Sequence, residues 1–168
     1  MNWLRDADII SKVSRITKPG LPVSAYDDLG AFKIYAVDVG ILRRLSHLPT
    51  TAFAENNRLF TEFKGALTEN YVHQSLKRSF EVAPRYWSDA THEVDFVVQR
   101  GDAIIPVEAK AGEAVKTTSL KRYAKNYGEQ TPLIIRLSMK NLSYDGYIIN
   151  VPLFMADELD RLIGLACQ

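Results

Sequence analysis

The sequence predicts an α/β domain, a mixed sheet flanked by helices, on three observations. Strand-like runs rich in Val, Ile and Phe alternate along the chain with stretches whose apolar residues recur at helical spacing. Residues 93–99 and 103–110 flank Arg100-Gly101-Asp102, and Gly-Asp makes a good two-residue hairpin turn. After that hairpin come a helix, two short strands and a final helix, the order of an α/β fold.

Taken from the start, residues 2–16 place Trp3, Ala7, Ile10 and Val13 at helical spacing, with Lys18-Pro19-Gly20 as a stop. Residues 22–26 and 31–37 read as a hairpin around Asp27-Asp28-Leu29-Gly30. A helix followed by a hairpin resembles the end of a winged helix, so residues 1–50 are expected to form an appendage to a domain over 51–168. Asp38 is an N-cap for a short helix reaching Leu45.

A long helix is expected over residues 57–80, with Leu59, Phe63, Ala66, Leu67 and Leu76 toward the core. Glu69 and His73, four residues apart, share a stripe on it. Gly65 weakens the helix by about 1 kcal/mol relative to Ala, which suggests close packing against another backbone. His73 reads as a structural histidine, and Trp87 as either a core ring or an exposed partner contact.

The hairpin at 93–110 carries the chemistry. With Gly101-Asp102 as its turn, Phe96 faces Val107, Val98 faces Ile105 and Val94 faces Ala109 on an apolar side. On the other side Asp95 faces Glu108, Glu93 faces Lys110 and Val97 faces Pro106. Opposed like charges destabilise a sheet, and a divalent cation between Asp95 and Glu108 removes the conflict. Hard oxygen donors suit Mg²⁺ or Mn²⁺. Lys110, one pleat from Glu108, is placed to orient a water or to neutralise charge on a phosphate. The alternative is a surface strand of alternating charge.

Beyond the hairpin, residues 117–127 read as an amphipathic helix with Leu120, Tyr123 and Ala124 on one side. Lys116, Lys121, Arg122 and Lys125 are the candidates for contacting nucleic-acid phosphates, the alternative being a solvated charged face. Strands over 132–137 and 144–151 and a helix over 153–165, opened by Pro152, complete the chain.

Composition narrows the chemistry further. The 168 residues are 46% hydrophobic and 24% charged, enough apolar chain for a substantial core. Cys167 is the single cysteine and only three histidines are present, so any metal falls to carboxylates. A net charge of +1 neither supports nor rejects DNA as a partner. No apolar run approaches a membrane span and residues 1–19 are unlike a signal peptide, so a cytoplasmic protein is expected.

Gly65 and Glu69 on a helix, then Glu93-Val94-Asp95, then Glu108-Ala109-Lys110, resemble the motif order of the PD-(D/E)XK nuclease superfamily, the restriction-endonuclease-like fold. More closely, the chain resembles the C-terminal domain of unknown function of prokaryotic AAA-type ATPases. The residues that carry this are Phe32-Lys33-Ile34-Tyr35 with Asp38 and Gly40, Glu69-Asn70-Tyr71-Val72, Tyr86-Trp87, Glu93-Val94-Asp95-Phe96, and Glu108 with Lys110.

The resemblance implies a restriction-endonuclease-like mixed sheet and Mg²⁺-dependent hydrolysis of DNA phosphodiesters. Asp95, Glu108 and Glu69 would bind the metal, Lys110 would be the catalytic lysine, and the Ala109 carbonyl a further ligand. The runner-up reading is a non-catalytic binding or regulatory module associated with an AAA-type ATPase. Val94 stands where that superfamily's name-giving proline would be, and Ser119 where its RecB-like branch has glutamine, whereas Tyr123 matches. The chain contains no G-x-x-x-x-G-K-[ST] run, so it does not hydrolyse ATP by that route.

Overall fold

In the computed structural model, the described residues are 2–49, 51, 61–112 and 118–167. Among them, eight strands form one mixed sheet in the order β2-β1-β3-β4-β5-β6-β8-β7. The strands are β1 (Ile10–Ile16), β2 (Asp27–Ala36), β3 (Arg85–Ser88), β4 (Glu93–Arg100), β5 (Ala103–Ala109), β6 (Ile134–Ser138), β7 (Ser143–Tyr144) and β8 (Ile148–Pro152). The helices are α1 (Asn2–Asp6), α2 (Val39–Leu45), α3 (Thr61–Ser79), α4 (Thr118–Tyr127) and α5 (Leu159–Ala166). The α/β architecture expected from the sequence is therefore present, with helices on both faces of the sheet.

Each face has its own core. On one, α3 contributes Val72, Leu76 and Phe80 and α5 contributes Leu159 and Ile163, packed with Phe96, Val98, Ile105 and Val107. On the other, Leu120 and Tyr123 of α4 pack with Trp87, Val97 and Ile104. Trp87 is 2% exposed and meets the rings of Tyr123 and Tyr127 edge-on, which makes it a core residue and removes it as a partner contact. No helix among the described residues is long and apolar enough to cross a membrane.

The N-terminal fifth is built differently from the expectation. The helix over residues 2–16 is confined to Asn2–Asp6, and Ile10–Ile16 is a strand. Asp8 takes a left-handed φ of 56°, which ends the helix, and the β-branched Ile10, Val13 and Ile16 that follow suit a strand. The hairpin expected between 22–26 and 31–37 is likewise absent. Val23–Tyr26 is a 3-10 turn, and Asp27-Asp28-Leu29-Gly30 lies inside β2, at a break in register where Ser14 pairs with Phe32 but Arg15 with Asp28. β1 pairs antiparallel with β2 and parallel with β3, so both N-terminal strands extend the sheet.

Elsewhere the differences are local. Asp38 caps α2 as expected, accepting the Ile41 N–H at 3.0 Å. The helix expected over 57–80 is observed over Thr61–Ser79, and Leu59 lies outside the described residues. Leu67 and Phe63 pack on Val39 and Leu42 of α2, whereas Ala66 is exposed. A Cβ added to Gly65 would meet nothing within 4 Å, so the expected backbone approach there is not made; α3 reaches the sheet farther along, through Val72 and Leu76. The strand expected over 144–151 is divided into β7 and β8 by a turn in which Gly146 takes a φ of 92°. The helix expected over 153–165 begins as a 3-10 segment, Leu153–Glu158.

Candidate functional site

The β4–β5 hairpin adopts the predicted register, with Phe96 opposite Val107, Val97 opposite Pro106, Val98 opposite Ile105 and Arg100 opposite Ala103. Gly101 supplies the left-handed φ of 58° that the turn needs. The paired register ends at Phe96. One residue on, Asp95 Oδ2 accepts the backbone N–H of Ala109 at 2.8 Å, a carboxylate standing where a strand carbonyl would otherwise pair.

A bulge produces that ending. Arg85 of β3 pairs with Val97 but Trp87 with Val94, so β4 has one residue more than its neighbour across Asp95 and Phe96. The extra residue turns Val94 over, into the cluster of Trp87 and Tyr123 instead of the face shared by Phe96 and Ala109. The predicted pairings of Asp95 with Glu108 and of Val94 with Ala109 are both lost for this reason. Glu93 is also not opposite Lys110; it pairs with Ser88 and its carboxylate takes Lys33.

Asp95 and Glu108 are 5% and 2% exposed, respectively. Lys110 Nζ lies 2.9 Å from Glu108 Oε1 and 3.5 Å from Asp95 Oδ2, so one ammonium serves the two buried acids. Burial pushes the Asp95 carboxyl up to about 6; Lys110 opposes this, and the nearby charge of Glu69 adds to it. Burial also works against the Lys110 ammonium, but Asp95 and Glu108 more than offset it and hold its pKa above the ordinary value. Glu108 Oε2 is buried without a hydrogen-bond partner.

Glu69 belongs to a neighbouring arrangement on β2 and α3. Its Oε2 accepts from the Tyr35 hydroxyl at 3.2 Å and lies 3.5 Å from Lys33 Nζ. Lys33 Nζ is in turn 2.5 Å from Glu93 Oε1 and sits over the Tyr86 ring. The Tyr35 ring stacks on His73 at 4.7 Å, and burial lowers the His73 pKa to about 4, which leaves the ring uncharged at neutral pH. Among the described residues no group of three or more Asp, Glu, His or Cys is arranged to hold a metal ion. Asp95, Glu108 and Lys110 are together, whereas Glu69 is held by Lys33 and Tyr35.

The basic candidates stand apart on α4. Lys121, Arg122 and Lys125 are exposed, Arg122 pairs with Asp89 at 3.1 Å, and Lys116 lies outside the described residues. Lys33, Tyr35 and Glu93 were not among the site residues chosen from the sequence. The signal for the first two was present in Phe32-Lys33-Ile34-Tyr35, where alternation puts Lys33 and Tyr35 on one face of β2.

No curated protein and no solved structure matches the chain. Residues 64–154, more than half of it, match the family model described as a domain of unknown function, DUF4143, and that stretch includes Glu69, Asp95, Glu108 and Lys110. The chain therefore belongs to the DUF4143 family.

Proposed function

We propose that this domain, acting in the cytoplasm, is a Mg²⁺- or Mn²⁺-dependent nuclease of the restriction-endonuclease-like type that hydrolyses DNA phosphodiester bonds. The observation that carries the reading is the buried, unpartnered Oε2 of Glu108 beside a second buried carboxylate. A carboxylate oxygen left without a partner in the interior is costly, and a hard cation satisfies it. The donor set, carboxylate oxygen from Asp95 and Glu108 with no cysteine or histidine beside it, suits Mg²⁺ or Mn²⁺. Glu69 would join them only by leaving Lys33.

When bound, the ion would lower the pKa of a coordinated water and withdraw charge from the phosphate. In the hydrolysis, the water oxygen bonds to phosphorus as the ester bond to the leaving oxygen breaks; the water loses one proton and the leaving oxygen gains one. Lys110, whose ammonium lies beside both carboxylates, would supply positive charge to the phosphate oxygens. Lys116, Lys121, Arg122 and Lys125 would bind backbone phosphates beyond the scissile bond.

Cleavage of labelled single-stranded, duplex and branched DNA with Mg²⁺ or Mn²⁺ tests the reading. Metal-dependent cleavage that Glu108→Ala and Lys110→Ala both abolish is expected. No cleavage on any of these, with the variants folded as the native chain is, would refute it.

A second reading is favoured by the hold of Lys33 on Glu69. In it the domain is a non-catalytic binding or regulatory module of an AAA-type ATPase, the kind of protein with which this family is typically found. DNA affinity that falls with salt, without cleavage, would support this reading over the first.

A further inference from the structure

β2 is the first strand in the sheet order, and among the described residues no strand pairs with its outer side. Two observations show which of its peptide groups face outward. The Val37 N–H donates to the Ile9 carbonyl at 2.9 Å, so the register bonds Tyr35 and Lys33 to β1 and turns the peptide groups of Ala36, Ile34 and Phe32 away from it. Ala36 bears this out, since its N–H and its carbonyl are both taken by the Asn70 side chain of α3, at 2.8 Å and 3.1 Å.

The open stretch is short and bounded. Asn70 closes it at Ala36. At the other end the pairing slips between Ser14–Phe32 and Arg15–Asp28, so residues 29–31 leave the ladder, and Asp28 Oδ1 takes the Gly30 N–H at 2.8 Å. Between these ends the N–H and carbonyl groups of Phe32 and Ile34 point outward, and both side chains are apolar and 41% exposed. Such an edge is a template for another strand. No proline guards it, and Lys33, the charge within it, is turned to Glu69 and Glu93.

We propose that this edge pairs with the same edge of a second copy, antiparallel about a two-fold axis at Lys33, so that one sheet runs through both chains. A strand that meets itself about a two-fold axis is antiparallel, and the facing partial charges then complement one another, each open N–H of Phe32 and Ile34 meeting an open carbonyl of the other chain. This register alone matches all of them. Phe32 then lies opposite Ile34 of the second copy, aromatic against β-branched, a favourable cross-strand pair made once on each side of the axis. On the other face Lys33 lies opposite Lys33 of the second copy, and each ammonium is already held by its own Glu69 and Glu93. A longer foreign strand gains nothing beyond these residues, because the groups at Gly30 and Ala36 are capped; a second copy carries the same caps at the same places. So short a pairing buries less than a standard interface, and the dimer is weak and concentration-dependent.

Sedimentation equilibrium of the chain alone, from about 10 µM to about 1 mM, tests the proposal. The native mass is expected to rise from that of one chain toward twice that value. Ile34→Pro removes an outward N–H that β1 does not use, at an edge position where proline fits, so it is expected to stay monomeric with its melting temperature at low concentration little changed. Phe32→Lys is also expected to stay monomeric, whereas Phe154→Lys, at an 80% exposed residue beyond β8, is expected to dimerise as the native chain does. A native chain still monomeric at about 1 mM overturns the proposal. So does a dimer that Ile34→Pro and Phe32→Lys leave intact, or one that Phe154→Lys dissolves.

Should both edge variants unfold, amide exchange in the native chain decides. The Phe32 and Ile34 amides are expected to exchange more slowly at the higher concentration, and the Ala36 amide, already held by Asn70, at one rate at both. A dimer in which Phe32 and Ile34 exchange as fast as in the monomer overturns the proposal.

Discussion

Asp95 Oδ2 takes the N–H of Ala109 at 2.8 Å, so the carboxylate at the head of β4 is fastened to the strand that carries Glu108 and Lys110. The bond pins the acid to backbone in a place from which bulk water is excluded, and this determines how the protein responds to pH. The Asp95 carboxyl is raised from 3.8 to about 6, chiefly by burial. A raised folded-state pKa means that the folded protein holds the proton more tightly than the unfolded chain does. The stabilisation is full below pH 3.8 and is lost as pH rises through about 6. Asp95→Asn is therefore expected to gain up to about 3 kcal/mol over the native chain between pH 4 and pH 7.5 with metal chelated. Urea unfolding of both proteins at the two pH values checks this, and a pH-independent difference would contradict it.

Asn70 is 1% exposed and its amide pairs with both backbone groups of Ala36. Asn70→Ala leaves both of those groups without this partner and loosens α3 from β2. A loss of about 2–3 kcal/mol is expected in urea unfolding. Asn70→Asp keeps the acceptor for the Ala36 N–H and loses the donor to the Ala36 carbonyl.

Gly101 holds the hairpin turn at a φ of 58° with open space around its missing Cβ. The cost of a side chain there is conformational and not a clash. Gly101→Ala is expected to lose about 1 kcal/mol, and Gly101→Asn less, since asparagine tolerates this region. Equal losses for Ala and Asn in thermal unfolding would speak against a backbone origin.

Lys121 and Lys125 project from α4 into solvent. If they bind DNA phosphates, replacing both by Ala weakens binding to every DNA sequence alike and makes the dependence of log K on log salt shallower by about one unit per lysine. Fluorescence anisotropy across a salt series measures the slope, and an unchanged slope would remove α4 from the interface.

How much of this was legible in the sequence depended on how local the signal was. Gly101-Asp102 and the period-2 runs beside it specify the β4–β5 register, and Asp38 announces its own cap. Trp3, Ala7, Ile10 and Val13 mimic a helical stripe, but the left-handed turn at Asp8 and the pairing of Ile10–Ile16 with β2 override it. The bulge across Asp95 and Phe96 has no glycine to mark it and is visible only against β3. The pairing of Lys33 with Glu69 spans 36 positions, and neither residue alone indicates it. The candidate site was thus readable where one hairpin makes it, at Asp95, Glu108 and Lys110, and hidden where β2 and α3 complete it.

Divalent-ion binding at Asp95 and Glu108 is the most direct test of the account. Titration of the native chain and of Glu108→Gln with Mn²⁺ by calorimetry at pH 7.5 compares sites of nearly equal shape. Binding by the native chain that falls at least tenfold in Glu108→Gln, with the melting temperature of the metal-free proteins little changed, is the predicted result. Equal binding by the two proteins, or none by either, would contradict it.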